Sequence, residues 1–434
     1  DHDDELMPDA LFEAVKTLQY HPETDLIYTD EDKTDVKSSV YYEPFFKPDW
    51  SPDLLLSMNY ICHLLIMRKE LVDRLNGFRP EFDGAQDYDL VLRATEISGN
   101  IRHIPKVLYH WRAVPSSVAG SLDAKPYCFD MGKKALEEAM KRRKIKAEVT
   151  RDGAYSYRTR YLIESTGKVS IIIPTKDQKK LMEKCVSSIL NRTIYNDYEI
   201  IIVDNGSSDI STANYLKSLL SEHDNIKVIE YLSDFNYSKI NNLAAASASG
   251  KYLLFLNNDV EVINEDWLSA LVEHAQRPEV GAVGCKLLYP DNTIQHAGVI
   301  FNERCAGHAF YKTLEKDSVF NLANVVRNYS AVTGACLMIR KDPFESIGGF
   351  DGSFWVTYGD VDICFTLRSL GYRIIYTPYC RLYHMESVSR GSGDWIDDSR
   401  NYYQKWKIMT RNGDPYYNPN LDTSFANTFQ WRGY

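Results

Sequence analysis

The chain has 434 residues, a length that could hold two or three domains. It has 50 lysine or arginine residues against 60 aspartate or glutamate residues, which gives a formal net charge of −10. This charge excludes the broad basic surface of a nucleic-acid-binding protein, and we predict no nucleic-acid partner. Eight cysteines are scattered without a CxxC pair, which indicates reduced thiols and a cytoplasmic protein rather than a disulfide framework.

The first six residues, DHDDEL, are mostly acidic and are part of an internal repeat. Residues 1–23 match residues 257–279 without a gap, so that Asp3 aligns with Asp259. An amphipathic helix is predicted after the acids in both copies. A helix N-cap and a metal-binding motif are alternative interpretations of these acids. Their recurrence before the same helix favours the metal-binding motif.

Three further blocks repeat in the same order, which indicates one and a half copies of a single domain. The matching pairs are MRKELVDRLNGF (67–78) with IRKDPFESIGGF (339–350), QDYDLVLR (86–93) with GDVDICFTLR (359–368), and IPKVLYH (104–110) with TPYCRLYH (377–384). We expect residues 1–120 to be the C-terminal half of a first domain that is truncated at its N-terminal side. We expect residues 169–395 to be a complete second domain.

Two segments lie outside the repeated units. Residues 121–168 are predicted to form a helical connector and linker. Their basic run KKALEEAMKRRKIK at 133–146 is either a solvated helix face or a peripheral contact with the anionic inner face of the cell membrane. No apolar run in the chain reaches the roughly 18 to 20 residues that cross a bilayer. The tail at 396–434 is rich in Tyr, Asn and Trp, and we expect it to pack on the second domain.

Between residues 169 and 256, short apolar runs alternate with stretches of helical composition. This alternation predicts a mostly parallel sheet covered by helices on both faces. The predicted strands are VSIIIP (169–174), EIIIVD (199–204), IKVIEYL (226–232) and YLLFL (252–256), and the predicted helices are 179–191, 211–222 and 238–248. Polar residues follow three of the strands, and ligands of α/β sheets bind outside the carboxyl ends of strands. We therefore expect one crevice lined by residues 175–177, 204–208 and 257–259.

Asp204 begins the polar run DNGSS directly after a predicted strand. The run is interpreted either as a turn or as a nucleoside site, in which the carboxylate accepts hydrogen bonds from the base or ribose. Neither a GxxxxGK loop nor a GxGxxG fingerprint is present, which disfavours a P-loop or a dinucleotide-binding fold.

Asp360 and Asp362 follow the glycine-rich run GGFDGSFWVTYG. Each is interpreted either as a general base, provided that it reaches a hydroxyl group, or as an acid at a helix start. His384 aligns with His110, and an imidazole at this place could complete a metal shell, although a lone histidine is more often structural.

Three aromatic side chains are interpreted on weaker grounds. His296 and His308 flank a stretch rich in small residues and are interpreted as structural. Trp355 is interpreted equally as an apolar wall of a binding site or as a core residue.

Seven motifs together resemble bacterial family 2 glycosyltransferases with the GT-A fold, over residues 169–391. The motifs are VSIIIPTKD, IIVDNGSSD, FNYSKINNLAA, LFLNNDVEV, TGACLMIRK, GGFDGSFWVTYGDVDICFTLRSLGYR and LYHMESVSRG. Residues 1–120 resemble the same family from its Asp-x-Asp motif onward. Two such domains in tandem resemble enzymes that build bacterial surface polysaccharides.

The resemblance implies transfer of a sugar, with inversion, from a nucleotide-diphosphate sugar to a hydroxyl of a glycan or lipid-linked glycan. It implies that Asp360, with Asp362, forms the catalytic set and that Asp259 and His384 bind Mg²⁺ or Mn²⁺. Many relatives have Asp where this chain has Asn257, which puts metal dependence in doubt. The nucleotide-binding residues implied are Pro174, Thr175, Asp177, Asp204, Ser207, Asn236, Lys239, Asn242 and Asn257. The degenerate first-domain equivalents implied are Asp1, Asp3, Asp87 and His110.

Two alternatives to a transferase are weighed. The chain is interpreted alternatively as a catalytically impaired nucleotide-sugar-binding or scaffold protein, because the first domain lacks its nucleoside half and Asn257 removes a carboxylate. A nucleotidyltransferase is disfavoured, because IIIPTKDQ does not supply a basic glycine-rich phosphate loop.

Overall fold

The computed structural model describes residues 2–114, 127–164, 166–385, 396–424 and 429. The strands within these ranges are β1 (Glu5–Leu6), β2 (Leu26–Thr34), β3 (Tyr41–Phe45), β4 (Leu65–Met67), β5 (Ile101–Arg112), β6 (Ala147–Arg151), β7 (Tyr157–Tyr161), β8 (Val169–Thr175), β9 (Tyr198–Asp204), β10 (Ile226–Glu230), β11 (Tyr252–Leu256), β12 (Val260–Val262), β13 (Val280–Leu288), β14 (Ile294–His296), β15 (Val299–Phe301), β16 (Ala306–His308), β17 (Arg327–Asn328), β18 (Cys336–Arg340) and β19 (Arg373–His384). The helices are α1 (Ala10–Tyr20), α2 (Pro52–Leu55), α3 (Lys69–Arg74), α4 (Gln86–Ile97), α5 (Tyr127–Arg142), α6 (Lys179–Asn191), α7 (Ile210–Glu222), α8 (Tyr237–Ser247), α9 (Trp267–Ala275), α10 (Lys341–Ser346), α11 (Gly359–Ser369) and α12 (Ile396–Thr410).

The large sheet has the strand order β10-β9-β8-β11-β18-β13-β19-β12, with β14 paired to β13 and β17 paired to β19. The first four strands run parallel, and their side chains are buried along nearly the whole of β8, β9 and β11. A strand buried on both faces has a continuous apolar sequence, as in VSIII and EIIIV. The α/β fold class and the strands and helices predicted between residues 169 and 256 are confirmed.

The second half of the large sheet is mixed rather than parallel. Strand β18 runs antiparallel to both β11 and β13, whereas β19 runs parallel to β13. The short strand β12 pairs antiparallel with the end of β19. The predicted parallel arrangement therefore holds for the four strands from which it was derived, and the later strands add antiparallel neighbours.

A smaller sheet in the first repeat unit has the order β1-β5-β2-β3, with β4 paired to β2. The same pairings occur in the large sheet as β12-β19-β13-β14, with β18 paired to β13. The senses also agree, since β2 is parallel to β5 and antiparallel to β4. This common pattern supports the internal repeat that we infer from the sequence.

The two repeat-related units share one hydrophobic core, to which both sheets contribute. Polar contacts join them as well. Asn328 accepts hydrogen bonds from Ser51 Oγ and from the Asp53 backbone N–H, both at 3.0 Å. Arg277 Nη1 lies 2.6 Å from Asp53 Oδ1. Burial alone would raise the pKa of the Asp53 carboxyl, but the charges of Arg277 and Arg373 outweigh burial and lower it.

The predicted linker is a β-hairpin, β6–β7, wedged between the two units. On one side the Tyr157 N–H donates to Ser57 O at 2.8 Å, and Thr159 Oγ1 donates to Leu56 O at 2.9 Å. On the other side Arg158 and its neighbours cover helix α9. The helix α5 that precedes the hairpin buries apolar residues along one face, including Ala135, Leu136, Ala139 and Met140.

The C-terminal tail packs on both units, whereas the sequence predicts contact with the second domain alone. Helix α12 lies on the second unit. The segment after it reaches the first unit, where Asn418 Nδ2 donates to Asp30 Oδ2 at 2.9 Å and to Lys47 O at 2.9 Å. Residues 386–395, placed at the end of the predicted second domain, and residues 425–428 and 430–434 of the tail lie outside the described residues.

The eight cysteines are free thiols, as the sequence predicts, and three of them come together. Cys285, Cys336 and Cys380 lie on different strands with their sulfur atoms within 4.8 Å of one another. Within the described ranges, no helix is both long and apolar enough to span a membrane.

Glu273 provides a pH-dependent test of the hairpin interface. Its carboxylate is 3% exposed and lies 3.4 Å from Arg158 Nη2. Burial raises its pKa from 4.5 to about 7, although Arg158 and Arg160 oppose the shift. The folded protein therefore binds more protons than the unfolded chain between these pH values, and the free energy of unfolding falls as the pH rises through this window.

We expect Glu273→Gln to gain stability relative to the wild type by about 2 kcal/mol between pH 5 and pH 8, because the amide cannot ionise. Urea unfolding at both pH values measures the difference. Glu345→Gln is the matched control, because the Glu345 side chain is 63% exposed. Equal pH dependence of wild type and Glu273→Gln would contradict the assignment.

Candidate active site

The carboxyl ends of β8, β9 and β11 bring three predicted polar runs together. Asn258 Nδ2 donates to Thr175 Oγ1 at 3.0 Å, which joins the ends of β11 and β8. The Asp177 N–H donates to Ser207 Oγ at 2.7 Å, which joins the loops after β8 and β9. Ser207 in turn donates to Asp204 Oδ1 from its N–H at 3.0 Å and from its hydroxyl at 2.6 Å. The three polar runs therefore lie next to one another, and Ser207 holds the Asp204 carboxylate among them.

Two of the predicted nucleotide-binding residues also support the loop that surrounds them. Asp177 has φ of +55°, and its Oδ1 accepts the N–H groups of Ser208 and Asp209 at 2.9 and 2.8 Å. Pro174 lies within β8 opposite Val203 of β9, one residue pair before the ladder ends at Thr175 and Asp204. These residues shape the crevice through its backbone.

Asn236 and Asn242, two of the predicted nucleotide-binding residues, hold helix α8 against the glycine-rich loop. Asn236 caps the helix by accepting the Lys239 N–H at 2.9 Å, and its amide donates to Gly352 O at 3.0 Å. Asn242 exchanges hydrogen bonds with the backbone N–H and C=O of Phe350 at 2.9 and 2.8 Å. Gly349 has φ of +76° at this crossing, and a Cβ there would lie 2.5 Å from Asn242 Oδ1. Lys239, another of the predicted nucleotide-binding residues, is exposed beside the Trp355 ring.

Asp259 and His384 meet at the edge of the crevice. His384 Nε2 lies 3.1 Å from Asp259 Oδ1, and both side chains are almost completely buried. The opposite ring nitrogen, Nδ1, lies 3.1 Å from Gln295 Oε1. If Nδ1 carries the proton and forms a hydrogen bond to Gln295 Oε1, the lone pair on Nε2 faces the Asp259 carboxylate. Asn257 Nδ2 approaches the same Nε2 at 3.2 Å.

This arrangement fits a divalent cation. Asp259 Oδ1 is a buried oxygen without a hydrogen-bond partner among the described residues. Buried polar atoms normally have partners, and two lone pairs that face each other are unfavourable without a cation or proton between them. Metal-binding histidines commonly donate their second nitrogen to an acceptor, as His384 does to Gln295. Asp259 and His384 would hold the ion, and Gln295 would orient the imidazole.

Asp360 lies at the start of α11 and faces the same space. Its Oδ2 accepts the Gly334 N–H at 2.7 Å, and its Oδ1 accepts the Val361 N–H at 2.9 Å. A single small cavity is lined by Asp360, Asn257, Tyr237, Gly334, Phe354 and Val356, among others. Asp360, the predicted base, and Asn257, which lies beside His384, therefore line the same cavity.

Asp362, which the resemblance places in the catalytic set with Asp360, is buried against helix α12. Its carboxylate is 2% exposed and accepts the Trp406 Nε1–H at 2.8 Å. Lys405 Nζ lies 2.8 Å from Asp362 Oδ1. Burial raises the pKa of the Asp362 carboxyl, against the opposing effects of Lys405 and Trp406. This acid anchors the C-terminal helix α12.

Among the described residues of the first unit, His110 has a different acidic partner from that of His384. His110, which aligns with His384, bonds Asp32 through Nδ1, and Asp87 accepts the Asn59 amide at 2.9 Å. Asp3 lies partly buried, with its backbone carbonyl bonded to Arg112. Asp1 lies outside the described residues. These positions agree with the interpretation of a degenerate site.

The remaining aromatic residues divide into two groups. His296 is fully buried, and its Nδ1 lies 2.8 Å from His308 Nδ1, which agrees with a structural role for the pair. Trp355 is 43% exposed beside the cavity, which favours a wall over a core residue.

Two residues of the site have no signal in the sequence. Gln295 sits in an ordinary strand context, and its contact with His384 depends on the pairing of β13 with β14 and β19. Asp398 accepts backbone N–H groups from the loop before Asp360, although it comes more than 30 residues later.

Comparison with known proteins identifies the class of the second unit. Residues 170–348 match the family model described as Glycosyl transferase family 2. Residues 170–348 are thus similar to family 2 glycosyltransferases, and this segment has the α/β architecture that the sequence resemblance predicts.

Longer relatives match almost the whole chain. The chain is 43% identical over 435 residues to protein y4gI of Sinorhizobium fredii, which covers 97% of this chain and 48% of that protein. It is 43% identical over 432 residues to the O-antigen biosynthesis protein RfbC of Myxococcus xanthus, covering 96% of this chain and 33% of that protein. The chain thus spans about half and about a third of these relatives.

A solved structure, GalNAc-T7 with UDP, GalNAc and Mn²⁺, aligns with a TM-score of 0.47 at 15% identity. The alignment covers 56% of this chain and 49% of that chain.

The different surroundings of Asp360 and Asp362 lead to a stability test. We expect Asp362→Ala to lower the free energy of unfolding by about 1–3 kcal/mol, because it leaves the Trp406 indole N–H and the Lys405 ammonium without their buried partner. Asp360→Ala removes a group that faces the cavity and should cause a smaller loss. Chemical denaturation of both variants measures this difference, and equal losses would contradict the assignment of Asp362 as the anchor.

Proposed function

We propose that the chain is an inverting glycosyltransferase that moves a sugar from a nucleotide-diphosphate sugar to a hydroxyl of a bacterial surface polysaccharide or lipid-linked glycan. The observation that carries the proposal is the single cavity lined by both Asp360 and Asn257, next to the Asp259–His384 pair. The proposal takes Asp360 as the base and the Asp259–His384 pair, which lies beside Asn257, as the site for a diphosphate-binding cation. The family 2 match and the O-antigen relative support the substrate class.

In the proposed reaction, Asp360 accepts the proton of the acceptor hydroxyl. The hydroxyl oxygen forms a bond to the anomeric carbon as the bond from that carbon to the diphosphate oxygen breaks. One displacement from the opposite face inverts the anomeric configuration. Hydrogen bonds from the Gly334 and Val361 N–H groups orient the carboxylate without neutralising it.

Asp204, Thr175 and Ser207 form the proposed nucleoside side of the site. Asp204 lies at the end of β9, and its Oδ1 is fixed by Ser207. The carboxylate can accept hydrogen bonds from a base or ribose. Asp259 and His384 would hold Mg²⁺ or Mn²⁺, which when bound neutralises charge on a diphosphate leaving group.

A second candidate function is nucleotide-sugar binding without transfer. The observation in its favour is Asn257, whose amide replaces a carboxylate beside His384. Loss of one carboxylate lowers the negative charge available to a cation. This candidate predicts nucleotide binding without release of nucleotide diphosphate in the presence of acceptor.

Peripheral membrane contact through residues 133–146 has less support in the structure than the other proposed partners. Arg142 Nε lies 2.8 Å from Glu96, and Arg143 Nε lies 3.4 Å from the same carboxylate. Lys133 lies 3.6 Å from Glu137. These acids neutralise much of the charge that would attract anionic lipid.

A donor screen tests the proposed function. Release of nucleotide diphosphate is measured across common sugar nucleotides with lipid-linked glycan acceptors and Mn²⁺. We expect one donor to be turned over and Asp360→Asn to reduce the rate by at least about 10²-fold, a typical contribution of a general base, with donor affinity retained. Titration calorimetry supplies the affinity. Binding without turnover in the wild type would favour the second candidate.

We expect metal binding to depend on Gln295, which would orient His384 without binding the metal itself. We expect Gln295→Ala to weaken Mn²⁺ affinity by about 10–100-fold in the presence of nucleotide diphosphate, because the imidazole loses the partner that fixes its orientation. Calorimetric titration with Mn²⁺ measures the change. Gln276→Ala is the control, because Gln276 hydrogen-bonds to Leu162 O and Glu273 O, away from the crevice. Unchanged affinity in Gln295→Ala would contradict this assignment.

A further inference from the structure

Helix α12 lies beneath the loop of residues 351–358, which we call the acceptor-side loop because it leads into Asp360. The loop supplies Phe354 and Val356 to the cavity that contains the proposed base. The opposite side of the loop is covered by α12. Residues 398, 401, 402, 405 and 406 of this helix follow helical spacing and lie on one face.

Asp398 binds three consecutive backbone N–H groups of the acceptor-side loop. Its Oδ1 accepts the Trp355 N–H at 3.0 Å, and its Oδ2 accepts the Val356 and Thr357 N–H groups, both at 2.9 Å. Asp398 is 2% exposed. A buried carboxylate with charge-assisted hydrogen bonds to successive amides fixes the course of a loop more firmly than neutral contacts do.

Further contacts hold the two ends of the loop. At its start, Asn401 Nδ2 donates to Ser353 O at 3.1 Å, and Lys405 Nζ lies 2.9 Å from Asp351 Oδ2. At its end, Lys405 also binds Asp362, two residues beyond the proposed base. The ammonium thus connects the first residue of the loop to the helix that carries Asp360.

An aromatic contact supports the residue from which α11 begins. Tyr358 has φ of +61°, a backbone conformation that a non-glycine residue adopts only when its surroundings hold it there. Its ring stacks on Tyr402 of α12, with centroids 4.5 Å apart and an interplanar angle of 18°. The orientation of the first turn of α11, and hence of Asp360, follows from this contact.

We propose that α12 is a positioning element of the acceptor half of the site, with Asp398 as its principal positioning residue. This inference rests on the proposed function and identifies which part of the chain holds the base and the acceptor wall in place. The nucleoside side is built separately, from the ends of β8 and β9. Loss of the Asp398 contacts should therefore impair acceptor use and turnover but leave nucleotide binding intact.

Asp398→Asn tests the proposal with almost no change in size. Both carboxylate oxygens accept N–H groups, and an amide provides only one acceptor, so that an NH₂ group faces at least one loop N–H. We expect kcat to fall by roughly 10²-fold and the KM for acceptor to rise, since a displacement of about 1 Å at a reacting group costs this much. The KM for donor and the affinity for nucleotide diphosphate with Mn²⁺ should stay within twofold of the wild type.

Asp397→Asn is the matched control. Its side chain is 87% exposed and pairs with Arg400 on the helix surface at 2.8 Å. We expect wild-type kinetics from this variant. Trp406→Phe provides a second change on the inner face of α12, since it removes the indole N–H bonded to Asp362 and replaces the indole with a smaller aromatic ring. It should show the same split between donor and acceptor constants to a smaller degree, and it keeps the proposal testable if Asp398→Asn does not fold.

The outcomes separate the two proposals. Normal kcat and acceptor KM in folded Asp398→Asn, with active wild type, would overturn the positioning role and leave the proposed function standing. Equal losses of donor and acceptor binding would also overturn it, because they indicate general unfolding of the site. A wild-type protein that binds no nucleotide diphosphate would overturn the proposed function and this inference with it.

Discussion

The antiparallel pairing of β12 with the end of β19 is the interaction on which the site depends. It places Val260 opposite His384, so that Asp259 comes next to the imidazole although the two residues are far apart in the chain. The parallel pairing of β19 with β13 fixes the register of this strand, and β14 on β13 supplies Gln295 to the second ring nitrogen. These three pairings among four strands therefore determine the direction of one lone pair.

The parts of the fold that follow from local pattern could be predicted from the sequence. Runs such as VSIII and EIIIV are apolar without interruption because both faces of β8 and β9 are covered, and no other information is needed to read them as strands. The mixed second half of the sheet has no such signal, since β18 pairs antiparallel with β11 and β13, which lie far from it in the chain. The α/β class could therefore be predicted from the sequence, whereas the antiparallel strands of the sheet could not.

The candidate residues differ in how much the sequence reveals about their surroundings. Asp259 and His384 could be found because the repeat marks both positions. Asp362 could not be distinguished from Asp360, because its partners Lys405 and Trp406 come some 40 positions later and approach only in the fold. Asn236 and Asn242 look like ligands of a nucleotide in sequence. In the structure their amides satisfy backbone groups of the loop that α8 supports.

The core shared by the two units has a consequence for what the repeat means. Hairpin β6–β7 fills the space between them, and Tyr157 and Tyr161 contribute to the same continuous apolar cluster as residues of both sheets. A cut at the boundary suggested by the repeat would expose that cluster and leave Arg277 buried without Asp53. The boundary suggested by the repeat therefore does not coincide with a boundary of the packed core, which includes residues of both copies and of the segment between them.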